Sequence, residues 1–236
     1  MNRLNRTILI SASCLLLLSK PNVGVADELF VTNLVDGSGN LPIPGNQAWL
    51  GQLGDDFTAN DYLTITKIGV FDDDGDGTVG SLFWQLFHVS DGALVHSQEV
   101  TASGDRTPGG SIYDNYLWAD LSSAVSLTAG EAYSVVAYGF DGFDKNFNTN
   151  FDLVNLDVEF NTEGLTSAGG RYSAGCGVHC GNNVMPTIGA ANTASIRAYN
   201  FGAATFQYTV PEPASLALLG LGLAGFGFRG RKKKLN

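Results

Sequence analysis

The densest run of chemically capable side chains is Asp72-Asp73-Asp74-Gly75-Asp76-Gly77. Asp72, Asp74 and Asp76 alternate as the carboxylates of a D-x-D-x-D-G calcium loop do, and Gly77 stands where such a loop turns sharply. The pattern departs at its twelfth position. Phe83 occupies the place of the bidentate Glu that would close the coordination sphere, so a backbone carbonyl or a distant carboxylate would have to complete the site. The same residues also make an ordinary solvated acidic turn, because Asp and Gly are turn formers. Both readings stand, and calcium is the cofactor this stretch raises.

A second cluster is Cys176-Gly177-Val178-His179-Cys180. In an oxidising compartment, two cysteines this close in a Gly-rich stretch read first as a disulfide, Cys176 to Cys180. With so few residues between them, the ring needs a suitable turn. Free thiols are the second reading. A metal set of Cys176, His179 and Cys180 is the third, and it lacks the second Cys/His pair such sites use. His88 and His96 both fall in expected strands.

Catalysis finds little support. There is no G-x-S-x-G elbow, no H-E-x-x-H and no phosphate-binding loop. A glycosidase needs two facing carboxylates, but a chain this rich in Asp supplies pairs by chance. Trp49, Trp84 and Trp118 would stack on sugar rings if exposed, although their strand positions favour the core. The body therefore reads as a non-enzyme.

The elements that would position these groups are strands. Apolar runs of strand length recur between Gly/Asp/Asn/Ser clusters, with no sustained helical period. Expected strands are Glu28–Asn33, Gln47–Leu53, Asp56–Thr58, Thr64–Phe71, Ser81–Val89, Ala93–Val100, Asn115–Leu121, Ala132–Phe140, Val154–Phe160, Ser195–Phe201 and Thr205–Val210. In the run beginning at Ser81, Leu82, Trp84 and Leu86 alternate with Phe83, Phe87 and Val89. Apolar residues on both faces place that strand centrally. Asp91-Gly92 marks a hairpin turn after it, and residues 126–131 mark a turn into another core strand. Phe143, Phe147 and Phe151 pin an expected loop, and residues 163–194 read as a long Gly-rich loop. The expectation is all-β: one β-sandwich or jelly-roll-like domain over residues 27–210.

Charge divides sharply along the chain. All 23 acidic residues lie between Asp27 and Glu212, while that stretch holds only five of the 13 basic ones, for a formal charge near −18. Such a surface repels nucleic acid and anionic lipid and favours cations. It also keeps an exported protein soluble, which alone would account for it.

The two ends are of different composition. Arg3 and Arg6, then an apolar stretch from Ile8 to Leu18, then Gly24-Val25-Ala26 read as a signal peptide over residues 1–26. That makes signal peptidase and the general secretory machinery expected partners. At the other end come Pro211-Glu212-Pro213, an uncharged apolar run from Ala214 to Phe228, and a basic cluster within residues 229–236. The prolines lack an N–H and favour extended backbone before them, so the domain ends there. The fifteen-residue run spans roughly 22 Å as a helix, short of the ~30 Å hydrocarbon core. The basic cluster would stay on the cytoplasmic side.

This tail resembles the PEP-CTERM sorting signal of Gram-negative envelope proteins, with motif, span and basic end in the same order. The resemblance implies recognition of Pro211, Glu212 and Pro213 by an exosortase, a membrane-embedded transpeptidase. It further implies a transient anchor at 214–228 and release to the cell surface or to an exopolysaccharide or biofilm matrix. Residues 67–77 and 127–133 also resemble a β-rich domain found ahead of such tails, which bears on fold alone. A calcium- or carbohydrate-binding module displayed at the surface is the alternative, and a polysaccharide-active enzyme a more distant one.

Overall fold

Strands of two to twelve residues build two sheets, and their apolar inner faces close on each other. The computed structural model describes residues 27–35, 43–101, 112–149, 156–173, 175, 180–189 and 200–211, giving only the backbone of Asp74, Ile112, Tyr113, Ile188 and Gly189. The signal peptide, Glu212 and Pro213 with the rest of the tail, Cys176, His179, Phe151 and residues 195–199 lie outside the described residues.

The described strands are β1 (Glu28–Leu29), β2 (Val31–Val35), β3 (Leu53–Ala59), β4 (Leu63–Phe71), β5 (Leu82–His88), β6 (Leu94–Val100), β7 (Tyr116–Leu127), β8 (Ala132–Tyr138), β9 (Asp157–Phe160), β10 (Leu165–Tyr172), β11 (Ile188–Gly189) and β12 (Ala204–Thr209). No α-helix occurs among the described residues, and none of their helices is long and apolar enough to cross a membrane. A four-stranded sheet runs β1-β12-β4-β7 and a six-stranded sheet runs β11-β10-β3-β8-β5-β6, with β2 and β9 forming a separate ribbon. The fold is an all-β sandwich of these two sheets.

The sheets meet through aromatics. Phe206 of β12 lies 5.3 Å from Phe57 of β3, and Phe30 packs on both, at 4.8 and 5.0 Å. The Trp84 indole N–H of β5 donates across the layer to the Thr205 carbonyl at 2.8 Å. This satisfies the one polar atom of a wholly buried ring. As the alternation predicts, Leu82, Trp84 and Leu86 face this core. The strand is central, lying between β8 and β6. Along one side, the Gln98 side chain links the two sheets, donating to the Asp120 carbonyl and accepting from Ser122 N–H.

Three expectations need correction. The stretch from Gln47 is not a strand before Leu53: Gln47 makes one bridge to Asn146, and the chain there is held by side chains. Residues 163–194 are not one loop, because β10 occupies Leu165–Tyr172 in the interior of the large sheet. Its Gly-rich sequence hid it. A bulge between Ser167 and Gly169 breaks the alternation that would have betrayed a strand, and Gly169 takes φ +99°. Of the expected loop anchors, Phe147 is buried against Phe71, but Phe143 is 76% exposed.

Strand direction gives the sandwich two unlike ends. At one, the turns 60–62, 89–92, 128–131 and 161–164 gather around Thr209, and the pairing of Glu28 with Tyr208 brings the start of the described chain there too. At the other lie the segments 43–52, 72–81, 139–148 and 200–203. We call these the exit end and the loop end.

Candidate functional site

The Asp-rich stretch leaves β4 at the loop end and makes a short 3-10 turn over Asp73–Gly75. Asp72 is buried. Its Oδ1 accepts from Gly77 N–H at 3.0 Å, and its own N–H donates to the Asn115 carbonyl at 2.9 Å. Gly75 and Gly77 take φ of +68° and +95°, backbone that a side chain would strain. Asp73, which the calcium pattern does not use, is the bracing residue: it accepts from Gly45 N–H and from Lys145 N–H. Asp76 is exposed, and the Asp74 side chain lies outside the described residues. Thus Asp72 caps its own loop while Asp76 faces water. Among the described residues, no three His, Cys, Asp or Glu side chains are gathered so as to hold a metal ion.

Another carboxylate fixes the neighbouring loop. Asp144, buried, accepts from Val79 N–H and Gly80 N–H at 3.0 Å. Asp141 accepts from Phe143 N–H at 2.7 Å and Asp144 N–H at 3.1 Å. This bracing leaves Phe143 and Val79 projecting, 76% and 79% exposed. Beside them, Asn46, Gln47, Asn146 and Asn148 bond to one another's amides and backbone, standing in for strand pairing.

Sequence reading passed over the two most unusual carboxylates, Asp55 and Asp56. They are adjacent on β3, so they point to opposite faces of the sheet. Asp56, on the outer face, receives Arg171 Nε at 2.6 Å and a second guanidinium nitrogen at 2.7 Å, while the third nitrogen donates to the Pro186 carbonyl. Asp55 points into the core and accepts from Phe201 N–H and Gly202 N–H at 3.3 and 3.2 Å. Burial pushes its carboxyl up to about 7, against the pull of those two N–H groups and with a further push from the Asp56 charge. Burial, and then Asp55 nearby, also raises the Tyr116 phenol. Lying on opposite faces, Asp55 and Asp56 cannot flank one glycosidic bond. The signal for Arg171 was available: a lone base in an apolar, Gly-rich segment of an acidic chain needs a partner.

Cys180 is disulfide-bonded. It begins a segment that crosses the outer face of the large sheet, where Asn183 accepts from Gln85 at 3.0 Å and the Arg171 contact with Pro186 is made.

At the exit end, β12 stops at Thr209, Val210 is half-buried and Pro211 is exposed. The fold hands the chain to the Pro-Glu-Pro stretch with almost no intervening residues. The family model for the PEP-CTERM protein-sorting motif matches residues 209–232, which makes this a PEP-CTERM sorting domain-containing protein. The motif implies an exosortase as processing partner, and export with a membrane-anchored sorting signal. No curated protein matches the chain.

Proposed function

We propose that the chain is a non-enzymatic envelope protein, carried across the inner membrane by its first 26 residues and held there by residues 214–228. An exosortase then processes it at Pro211-Glu212-Pro213, releasing the sandwich to the cell surface or to an exopolysaccharide matrix. The observation that carries this reading is the sorting motif placed directly against the last described strand, with Thr209 belonging to both. The charge supports it: removing the tail takes away five of the chain's 13 bases and leaves a strongly acidic, soluble body. Replacing Pro211, Glu212 and Pro213 together with Ala should leave full-length protein in the membrane fraction. Normal processing of that variant, read by the mass of the released chain, would sink the proposal.

A second reading, a calcium- or carbohydrate-binding module, is favoured by one feature. Phe143 and Val79 project beside the Asp72–Gly77 loop, at the end opposite the tail. Titration calorimetry with calcium chloride on wild type and on Asp74→Ala tests the metal half. Absence of heat, with an unchanged melting temperature, would end it. A glycan array tests the sugar half.

A further inference from the structure

We infer that the exit end of the sandwich is itself a docking surface for the membrane-embedded processing enzyme, which reads the folded body together with the tail. The inference rests on the sorting reading above and adds a second contact to it.

Four residues, Val210 to Pro213, separate Thr209 from the apolar run that starts at Ala214. Fully extended, four residues span at most ~14 Å. Val210 does not contribute freely. It packs beside Gly164, where an added Cβ would come within 3.3 Å of it and 2.9 Å of Leu63. The usable tether is then three residues, or about 11 Å. A single helix with its side chains is about 10–12 Å across. An enzyme whose helices enclose Pro-Glu-Pro therefore meets the body whenever it grips the motif.

Nor does the body readily lend more chain. β12 is paired on both sides, by β1 and β4, and Tyr208 donates to the Glu163 carbonyl at 2.7 Å from within the core. Unzipping β12 would expose Phe206 and Tyr208, which are fully buried.

The surface presented has a distinct chemistry. Tyr62 stands 67% exposed on the 60–62 turn, and Asp27, Asp61, Glu131 and Glu163 are exposed carboxylates at the same end of the sandwich. Among the described residues, the turns 60–62, 128–131 and 161–164 carry no Lys, Arg or His. An anionic bilayer would repel such a face, so the occupant is the enzyme, offering basic groups around a slot for the Tyr62 ring.

The test couples surface to spacing in the full-length chain in its own host. Asp61→Lys, Glu131→Lys and Glu163→Lys together, or Tyr62→Ser, should slow processing about tenfold at native spacing. With about twelve Gly/Ser residues inserted between Val210 and Pro211, a flexible reach of roughly 19 Å, the same substitutions should change the rate less than about twofold. No slowing at native spacing overturns the inference. So does equal slowing in both backgrounds, since a folding or export defect would not depend on the tether. Ala in place of Pro-Glu-Pro is the control. If that variant is processed, the sorting reading itself falls and this inference with it.

Discussion

The two ends of the sandwich solve the same problem, how to turn the chain between strands, by different means. At the exit end, turns of a few residues suffice and the interior beneath is apolar, with Ala59, Leu63, Leu127 and Leu165 buried there. At the loop end the connections are long, and buried polar groups do the holding: Asp72, Asn115, Asp144, Asn146 and Asn148, with Asp55 and Arg171 a short way in. The short turns pair backbone with the backbone of neighbouring turns and strand ends, as Asn60 N–H does with the Gly164 carbonyl and Gly130 N–H with the Ala59 carbonyl, whereas long loops carry N–H groups that strand pairing leaves out. Side-chain carboxylates and amides supply those partners. The acidity of this chain is thus partly structural, and the loop end should be the more sensitive to substitution and to pH.

Five substitutions test that contrast. The largest effect is expected at Arg171→Met, which leaves the buried Asp56 without its guanidinium. Denaturant melts should lose roughly 3–5 kcal/mol. Changing Asp56 to Leu in the same chain should recover most of it, because a well-packed apolar pair replaces the ions.

Asp55 should give the pH dependence. Its folded-state carboxyl is raised from 3.8 to about 7, so the folded protein binds the proton more tightly than the unfolded chain does. The stability this contributes is complete below about pH 4, declines as pH rises toward 7 and is gone above it, on the order of 4 kcal/mol. Melting curves from pH 4 to 8 should show the decline in wild type and a flatter profile in Asp55→Asn. Parallel profiles would mean that Asp55 is not the group responsible.

A smaller loss, about 1–2 kcal/mol, is expected for Asp144→Ala, since Val79 and Gly80 lose their acceptor but sit where water can replace it. Hydrogen exchange should then speed up at those two amides and not in β12. The smallest effect belongs to the exit end. Asp61→Ala, on an exposed turn, should stay within about 0.5 kcal/mol of wild type. A larger cost there than at Asp144 would reverse the comparison.

Much of the architecture is legible in local pattern. The alternation of Leu82, Trp84 and Leu86 with Phe83 and Phe87 marks β5 and the face it buries, and Asp91-Gly92 marks the hairpin, where Gly92 takes φ +71°. The pattern fails at β10, where glycines and a bulge erase the period-two signal. It also fails before Leu53, where Gln47 and Trp49 resemble a strand but bond through side chains to residues about a hundred positions away. For the candidate site, the run Asp72–Gly77 stands out in composition. Composition does not reveal that Asp73 and Asp144, rather than the alternating set, brace the neighbouring loops.

What the sequence determines by itself is the tail and the strand faces. A Pro-Glu-Pro break, an apolar run and a basic end act through their order along the chain, so no folding is needed to read them. What only the tertiary structure decides is which charges are buried and where the chain leaves the body. Arg171 and Asp56 are 115 residues apart and meet because β10 pairs with β3. Asp55 and Asp56 are chemically identical neighbours. The sheet sends one into the core, where burial favours its protonated form, and gives the other a guanidinium.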